Sequence, residues 1–397
     1  MIRQKIWFFT AFLLLFSCQK GDDRDAAIAA KVNTPDSAFT EPELGVDGKV
    51  FNAPQLDGVY QKKSLDNLPV PIISTEVLGV LEQQLQLLEN PRLKRNYRIG
   101  DLRIHMGDLR KTIEILKSRQ HTLPLDLNNY LDAYQIWGSD RRGHVRFTGY
   151  FTPLVQVSHT MTEKYKYPIY SRPKDWEGPL PTRREIEQDS ALYGLGLELA
   201  YAANKVDIYY MQVQGSGFVE YPDGTRRLLS YDGTNRHPYR SIEKFISRSS
   251  EMELSNLSID GIKRYLQERP ELVDTVLFYN PSYTFFNAKR RAEPIGAGTV
   301  PLTAGYSIAV DRRYVPLGSC LLAAFPIYDN KLHRVTHYEY RLLMAQDVGG
   351  AIKGPGHVDY YFGIGDQAKR EAGYLNHYGQ LWLLLPKRQI GPVFTSF

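Results

Sequence analysis

Cysteine is nearly missing from this chain: Cys18 and Cys320 are the only two among 397 residues. That excludes a disulfide-stapled scaffold and allows one bridge at most. The nine histidines are scattered, with no His-Glu-x-x-His and no close Cys/His cluster, so no metal site is expected. No Walker A sequence and no dinucleotide-type glycine pattern follows a strand-like run, and no cofactor is expected. There is no internal repeat of useful length and no basic run interleaved with aromatics. A net charge of +5 is too small to argue for nucleic acid. Ser216 sits in Gln214-Gly215-Ser216-Gly217-Phe218, which lacks the outer glycines of a nucleophile elbow, so a serine hydrolase is rejected. Tryptophan is scarce, 4 residues against 27 tyrosines. Tyrosine-rich surfaces suit ligands with both polar and apolar faces, such as sugars, but β-rich proteins are also tyrosine-rich.

The content of 43% hydrophobic and 12% aromatic residues is ample for packed cores, and the length suggests two to three domains. The N-terminus reads as an export signal. Arg3 and Lys5 precede the apolar run Ile6 to Phe16, which is too short to span a bilayer at about 20 residues per crossing. Leu15-Phe16-Ser17-Cys18 resembles a bacterial lipobox, which would make Cys18 the lipid anchor and leave Cys320 a free, buried thiol. An ordinary secretory signal with Cys18 unmodified is the alternative. Gln19 in place of an aspartate points to the outer membrane. Residues 18–49 are polar and poor in large apolar side chains, as expected of a flexible tether.

Helical spacing predicts a helix over Thr75 to Leu88, a second capped by Asp108, and a third from Asp126 to Gly138 through Leu127, Tyr130, Leu131 and Tyr134. Val145 to Pro153 reads as a strand in which Thr148 and Tyr150 flank Gly149. That arrangement suits a sugar groove, and equally a plain strand bulged at the glycine. The texture changes near 154 and again near 292. In between, Thr182-x-x-Glu185 is a capping box, Ile208 to Val213 reads as a strand leading into the Gln214–Gly217 turn, and Ser258 opens a helix. Beyond 292 the short runs Val300–Gly305, Ser307–Asp311 and Leu381–Leu385 indicate a small barrel.

The most informative stretch is Arg341 to Gly363. A buried-strand run ends at Asp347, and five glycines and a proline lie between it and Asp359 or just after Asp359; a second strand places Asp359 with Tyr361 on one face and Val358, Tyr360 and Phe362 on the other. Aspartate is disfavoured in strands. An unperturbed Asp is protonated only about 0.1% of the time at neutral pH. A rise of roughly 2 units, from burial and a second carboxylate, brings that to about 10%, enough for a general acid. Spacing alone leaves open that both are turn aspartates bonding their own backbone.

The ordered set Thr148-Gly149-Tyr150 with Thr152-Pro153, Val213-Gln214-Gly215-Ser216-Gly217, Asn280-Pro281-Ser282, Ala309-Val310-Asp311 with Pro316-Leu317-Gly318, Asp347 to Gly354, and Asn376-His377-Tyr378-Gly379 resembles the membrane-bound lytic murein transglycosylase A family. The C-terminal part resembles its 3D domain, with Asp311, Asp347 and Asp359 as the three aspartates. Pro355-Gly356-His357 lengthens a connection that is shorter in some relatives. The resemblance implies a mainly β fold with accessory helices. A double-psi β-barrel (50–153 and 292–397) would carry an inserted β-rich domain (154–291), with a groove between them. It implies cleavage of the β-1,4 MurNAc–GlcNAc bond of peptidoglycan without water, leaving a 1,6-anhydro end. Asp359 would be acid then base, Asp347 its supporting carboxylate and Asp311 structural. Thr148, Tyr150, Gln214, Ser216 and Lys353 would hold glycan. The implied partners are glycan strands and a Gram-negative outer membrane reached through Cys18, with cell-wall synthases as candidates. A hydrolytic muramidase on the same fold and a non-catalytic wall-binding lipoprotein remain the competing readings.

Overall fold

The computed structural model describes residues 58–388, apart from 67, 121–123, 138–142, 250–257, 290–292, 330 and 333. The signal segment, Cys18 and the expected tether lie outside the described residues. Sixteen strands fall within them, numbered in chain order. Eight form one sheet: β1 (Tyr60–Lys63), β4 (Leu131–Ile136), β5 (Val145–Thr152), β12 (Ser307–Ala309), β13 (Cys320–Asp329), β14 (Arg334–Asp347), β15 (His357–Ile364) and β16 (Asn376–Pro386). The hairpin β2 (Asn96–Ile99) and β3 (Leu102–His105) stands apart. The remaining six form a second sheet: β6 (Leu154–Ser158), β7 (Tyr167–Tyr170), β8 (Glu198–Ala202), β9 (Ser216–Glu220), β10 (Arg226–Thr234) and β11 (Thr284–Lys289).

The order of the first sheet is β1-β4-β16-β13-β14-β12-β15-β5, and β5 also pairs with β16. That last pairing closes a ring of six strands into a barrel. Two of its pairings are parallel, β12 with β14 and β5 with β15. Closure leaves no free edge among the six. The barrel is packed solid: Leu321, Leu322, Leu343, Met344, Leu383 and Leu384 are almost wholly buried. Cys320 joins them as a free, buried thiol whose pKa burial pushes up.

Helices α1 (Thr75–Leu88) and α2 (Met106–Ser118) cover the barrel. Ser74 caps α1 by accepting from the Val77 amide at 3.3 Å, and Val77, Val80, Leu81, Leu87 and Leu88 form its buried stripe. Each such leucine contributes about 2 kcal/mol. Gln84, fully buried in the same helix, donates from Nε2 to the Ser319 carbonyl at 2.8 Å and ties α1 to the barrel. In α2 the Thr112 hydroxyl donates to the Leu384 carbonyl at 3.2 Å. The second part of the fold carries α3 (Arg183–Glu187), α4 (Lys205–Gln214), α5 (Ile242–Arg248), α6 (Ile259–Glu268) and α7 (Val273–Phe278); α4 packs on the second sheet, α5, α6 and α7 pack against α4, and α8 (Gly365–Tyr374) links β15 to β16. The Thr182 capping box and the Ser258 cap form as expected.

Four local expectations are corrected, and the alternative left open at Gly149 is decided. Asp108 is the third residue of α2, where its carboxylate accepts from the His105 amide at 2.9 Å, so the helix starts two residues before it. The expected helix over 126–138 is a 3-10 turn, Pro124–Asn129, followed by β4. Its leucines and tyrosines matched a helical period, but β4 is buried along most of its length and has no amphipathic stripe. The expected strand Ile208–Val213 is helical, within α4. Val300–Gly305 forms no strand beyond an isolated bridge between Ile295 and Pro301. Gly149 makes no bulge, because β5 keeps its register with β15 from Arg146 through Tyr150.

Candidate active site

The barrel register assembles the site. On β14 Ala345 pairs with Ile308, but Asp347 pairs with the next residue, Ala309, so Gln346 is the extra residue of a bulge. Gln346 is fully buried, and its Oε1 accepts from the Ser307 hydroxyl at 2.6 Å. A bulge re-aims the side chain that follows it, and here it turns Asp347 toward the face Ala309 presents. On the other side of β12, Ala309 pairs with Asp359, which in turn pairs with Thr148 on β5. Asp347, Ala309, Asp359 and Thr148 thus form one row across four strands. The two aspartate backbones are two strand spacings apart, about 10 Å, and only the Ala309 methyl lies between them in the row.

The two carboxylates differ in their surroundings. Asp347 Oδ1 accepts from the amides of Ala297 (2.8 Å) and Val348 (2.9 Å), and Oδ2 accepts from the Tyr150 hydroxyl (3.1 Å). Burial pushes the Asp347 pKa up, and these three donors oppose it. Asp359 has one such donor, the Thr148 hydroxyl at 2.8 Å on Oδ1. Burial raises its pKa to about 6; Thr148 and the Arg146 charge oppose the rise, and the Asp347 charge adds to it. Tyr150, half-buried with its hydroxyl on Asp347, has its pKa raised well above the usual phenol value by burial and by both carboxylates. Where neighbouring carboxyls have environments this different, the one with fewer donors, Asp359, is suited to proton transfer.

Two participants, His357 and Arg146, have no role assigned from the sequence. His357 Nε2 lies 2.8 Å from the Thr148 hydroxyl oxygen. Since that hydroxyl donates to Asp359, its oxygen accepts from His357, which requires the Nε2–H tautomer. Burial, helped by Arg146, lowers the His357 pKa to about 4, which keeps the ring neutral. Arg146 donates from Nε to Asn376 Oδ1 at 2.7 Å. The alternation that pairs Asp359 with Tyr361 also places His357 on that face, two residues earlier, so His357 was available from the strand period.

Thr148, Tyr150, Asp347 and Asp359 are therefore brought together. Gln214 ends α4, and its Oε1 accepts from the Phe151 amide at 3.3 Å, joining the second sheet to β5. Arg183, buried in α3, donates to Gln212 Oε1 at 2.6 Å and steadies that end of α4. Ser216 follows Gly215, whose left-handed φ of 79° ends the helix, and pairs with Ser230 on β10. Asp311 does not join the row. Arg313 clasps its carboxylate, and the Gly354 amide donates to it at 2.9 Å. Burial acts to raise its pKa, but these partners hold it below the usual value. Lys353, next to that amide, is exposed. Among the described residues no three His, Cys, Asp or Glu side chains cluster to hold a metal ion.

A closed six-stranded barrel joined to a second sheet carries two unlike, half-buried carboxyls on its wall, an arrangement suited to acid/base chemistry, and the comparisons with known proteins place it among the lytic transglycosylases. The "MltA specific insert domain" matches residues 146–287 and the "3D domain" residues 306–385. The chain is 42% identical to the membrane-bound lytic murein transglycosylase A of Escherichia coli K12, over 67% of this chain and 72% of that protein. It is 39% identical to the one from Vibrio cholerae, over 64% and 69%. The crystal structure of E. coli MltA with bound chitohexaose superposes with a TM-score of 0.70 at 34% identity, covering 88% of this chain and 98% of the other. The enzyme from Agrobacterium tumefaciens superposes with a TM-score of 0.68 at 27% identity, covering 82% and 97%. The chain belongs to the membrane-bound lytic murein transglycosylase A family.

Proposed function

We propose that this lytic transglycosylase cleaves the β-1,4 bond between N-acetylmuramic acid and N-acetylglucosamine in peptidoglycan, with Asp359 as its single acid and base. The protonated Asp359 carboxyl gives its proton to the glycosidic oxygen as the C1–O bond breaks. The resulting carboxylate takes the proton of the muramyl C6 hydroxyl as O6 attacks C1. The products are a GlcNAc hydroxyl end and a 1,6-anhydromuramyl end; no water is consumed and Asp359 is protonated again. The observation that carries this reading is the unlike pair in one row, Asp359 with a single hydroxyl donor and its pKa raised to about 6 by burial, beside Asp347 already engaged by three donors. Asp347 sustains that pKa and offsets positive charge developing at C1. Its oxygens are occupied by Ala297, Val348 and Tyr150, which argues against a second base that activates water, as a hydrolytic muramidase needs.

The two sheets support a division into a catalytic barrel (50–153 and 292–397) and an insert (154–291). Thr148, Tyr150, Gln214, Ser216 and Lys353 are assigned to holding glycan, and Asp311 to bracing the 348–356 loop. Membrane attachment is assigned to lipidated Cys18 at the outer membrane; no helix among the described residues is long and apolar enough to cross a bilayer. The test is mass spectrometry of muropeptides released from purified sacculi by wild type and Asp359→Asn. Products one water lighter than hydrolytic ones, absent with the variant, are expected. Reducing-end products would establish a hydrolase, and no products from wild type a wall-binding protein.

A further inference from the structure

The fold gathers positive charge far from the site. Residues 92–111 carry seven basic and two acidic side chains, an excess equal to the +5 of the whole chain. Within this stretch the hairpin β2–β3 sets Arg98 directly opposite Arg103. Like charges directly opposed across strands are destabilising. The C-terminal end of β16 brings Lys387 and Arg388 alongside. Arg103, Lys111, Lys387 and Arg388 line one cavity of about 180 Å³, with Asp108 as its acidic member, and that carboxylate already accepts from the His105 amide. All five basic side chains are exposed. None of them forms an ion pair with a carboxylate among the described residues, although other surface cations, such as Arg110 and Lys117, do. The chain enters the described fold beside this cavity. Lys62 on β1 is paired with Tyr134, which lines it, and Gly58 is four residues earlier, about 13 Å along the chain.

We propose that this surface docks the protein on anionic phospholipid headgroups of the membrane to which it is attached, and so fixes the direction its active site faces. Unpaired cations around a small cavity suit phosphate-bearing headgroups. The geometry gives the docking a purpose. Strand β16 starts at Asn376, in register with Thr148 in the active-site row, and ends at Pro386 in the cavity wall. Ten steps of a strand hold the site on the order of 30 Å from the headgroups. The acid is then presented to the wall, away from the bilayer. The proposal rests on the membrane attachment assigned above.

The test uses the full chain reconstituted into phosphatidylcholine vesicles with and without phosphatidylglycerol, read by hydrogen exchange. Backbone amides of 96–105 and 384–388 should exchange at least threefold more slowly on the anionic vesicles. High salt should abolish the difference, because exposed charges are screened. The combined variant Arg98→Gln, Arg103→Gln, Lys387→Gln, Arg388→Gln should lose the protection while cleaving soluble glycan strands at the wild-type rate, which shows that it is folded. Each basic group near an anionic surface contributes roughly fivefold to partitioning, so removing four should leave no measurable docking. Equal exchange on both kinds of vesicle would overturn the proposal. So would protection produced by soluble muropeptides instead, which would make the patch a wall contact. A chain that sediments with neither vesicle would refute the membrane attachment itself, and docking with it.

Discussion

The Thr148 hydroxyl donates to the Asp359 carboxylate over 2.8 Å, across the parallel pairing of β5 and β15. This bond favours the charged form and works against burial, the main cause that raises Asp359 to about 6. Thr148→Val keeps the branched shape and removes the donor. The Asp359 pKa should rise further, by on the order of half a unit to one unit. A general acid must be protonated in the free enzyme, so kcat/KM should fall as pH rises through this pKa. In the valine variant that descending limb should move to higher pH, as measured on soluble glycan strands. A limb that stayed in place would mean that a different group titrates there.

Asp347→Asn should move the same limb the other way. The amides of Ala297 and Val348 both donate to Oδ1, which the asparagine carbonyl replaces, and the asparagine NH₂ can donate to the Tyr150 oxygen where Oδ2 accepted. Geometry is thus retained while the charge that raises Asp359 is removed. The pKa of Asp359 should fall below about 6, and kcat should fall with it if the charge also stabilises the transition state. An unshifted limb with reduced kcat would assign Asp347 to the transition state alone.

Asp359→Asn should abolish turnover, a loss of at least about 10²-fold for a general acid, and yet stabilise the fold. The folded pKa, about 6, lies above the unfolded value near 3.8. The native state therefore binds more protons than the unfolded state between roughly pH 4 and 6, and wild-type stability declines as pH rises through that window. Asparagine carries no such charge. With the carboxyl partly open to solvent, the gain should be about 1–2 kcal/mol at pH 7 and nothing below about pH 4. Urea unfolding at the two pH values measures it. Equal stability at pH 7 would mean an ordinary, well-solvated carboxylate.

The residues of the row were legible where side-chain period was enough. Alternation along β15 placed Asp359 and Tyr361 on one face, and Thr148 and Tyr150 stood out on β5 as hydroxyl side chains on either side of a glycine. The barrel itself followed from short strands punctuated by glycine and proline. What sequence period does not carry is pairing between distant strands. The bulge at Gln346, which aims Asp347, arises only where β14 meets β12. Helix α4 was hidden differently. Val206, Ile208, Tyr209, Tyr210, Met211 and Gln212 are all buried, so no polar stripe marks a helical period, and its β-branched and aromatic residues imitate a strand. Its true signals were at its ends, the Asn204 cap and Gly215. The basic surface near β2–β3 escaped notice because two of its five cations come from the far end of the chain.

Gly149 ties the site to the helix behind it. A Cβ built there would lie 2.6 Å from the Ala372 Cα, 2.8 Å from the Ala372 carbonyl oxygen and 2.7 Å from the Phe362 ring. Two of these three neighbours are backbone of α8, which cannot rotate away, so Gly149→Ala must push β5 and α8 apart. Overpacking of this kind costs about 1–3 kcal/mol, and the extra room has to come from strand β5. Thr148 and Tyr150 flank the glycine and hold Asp359 and Asp347 respectively, so both hydrogen bonds should lengthen together. The expected result is a lower unfolding midpoint in urea together with a fall in kcat larger than the stability loss alone explains at temperatures where the variant is fully folded. A variant that is destabilised but fully active when folded would show that the row tolerates movement of β5, and that the acid does not depend on its threonine.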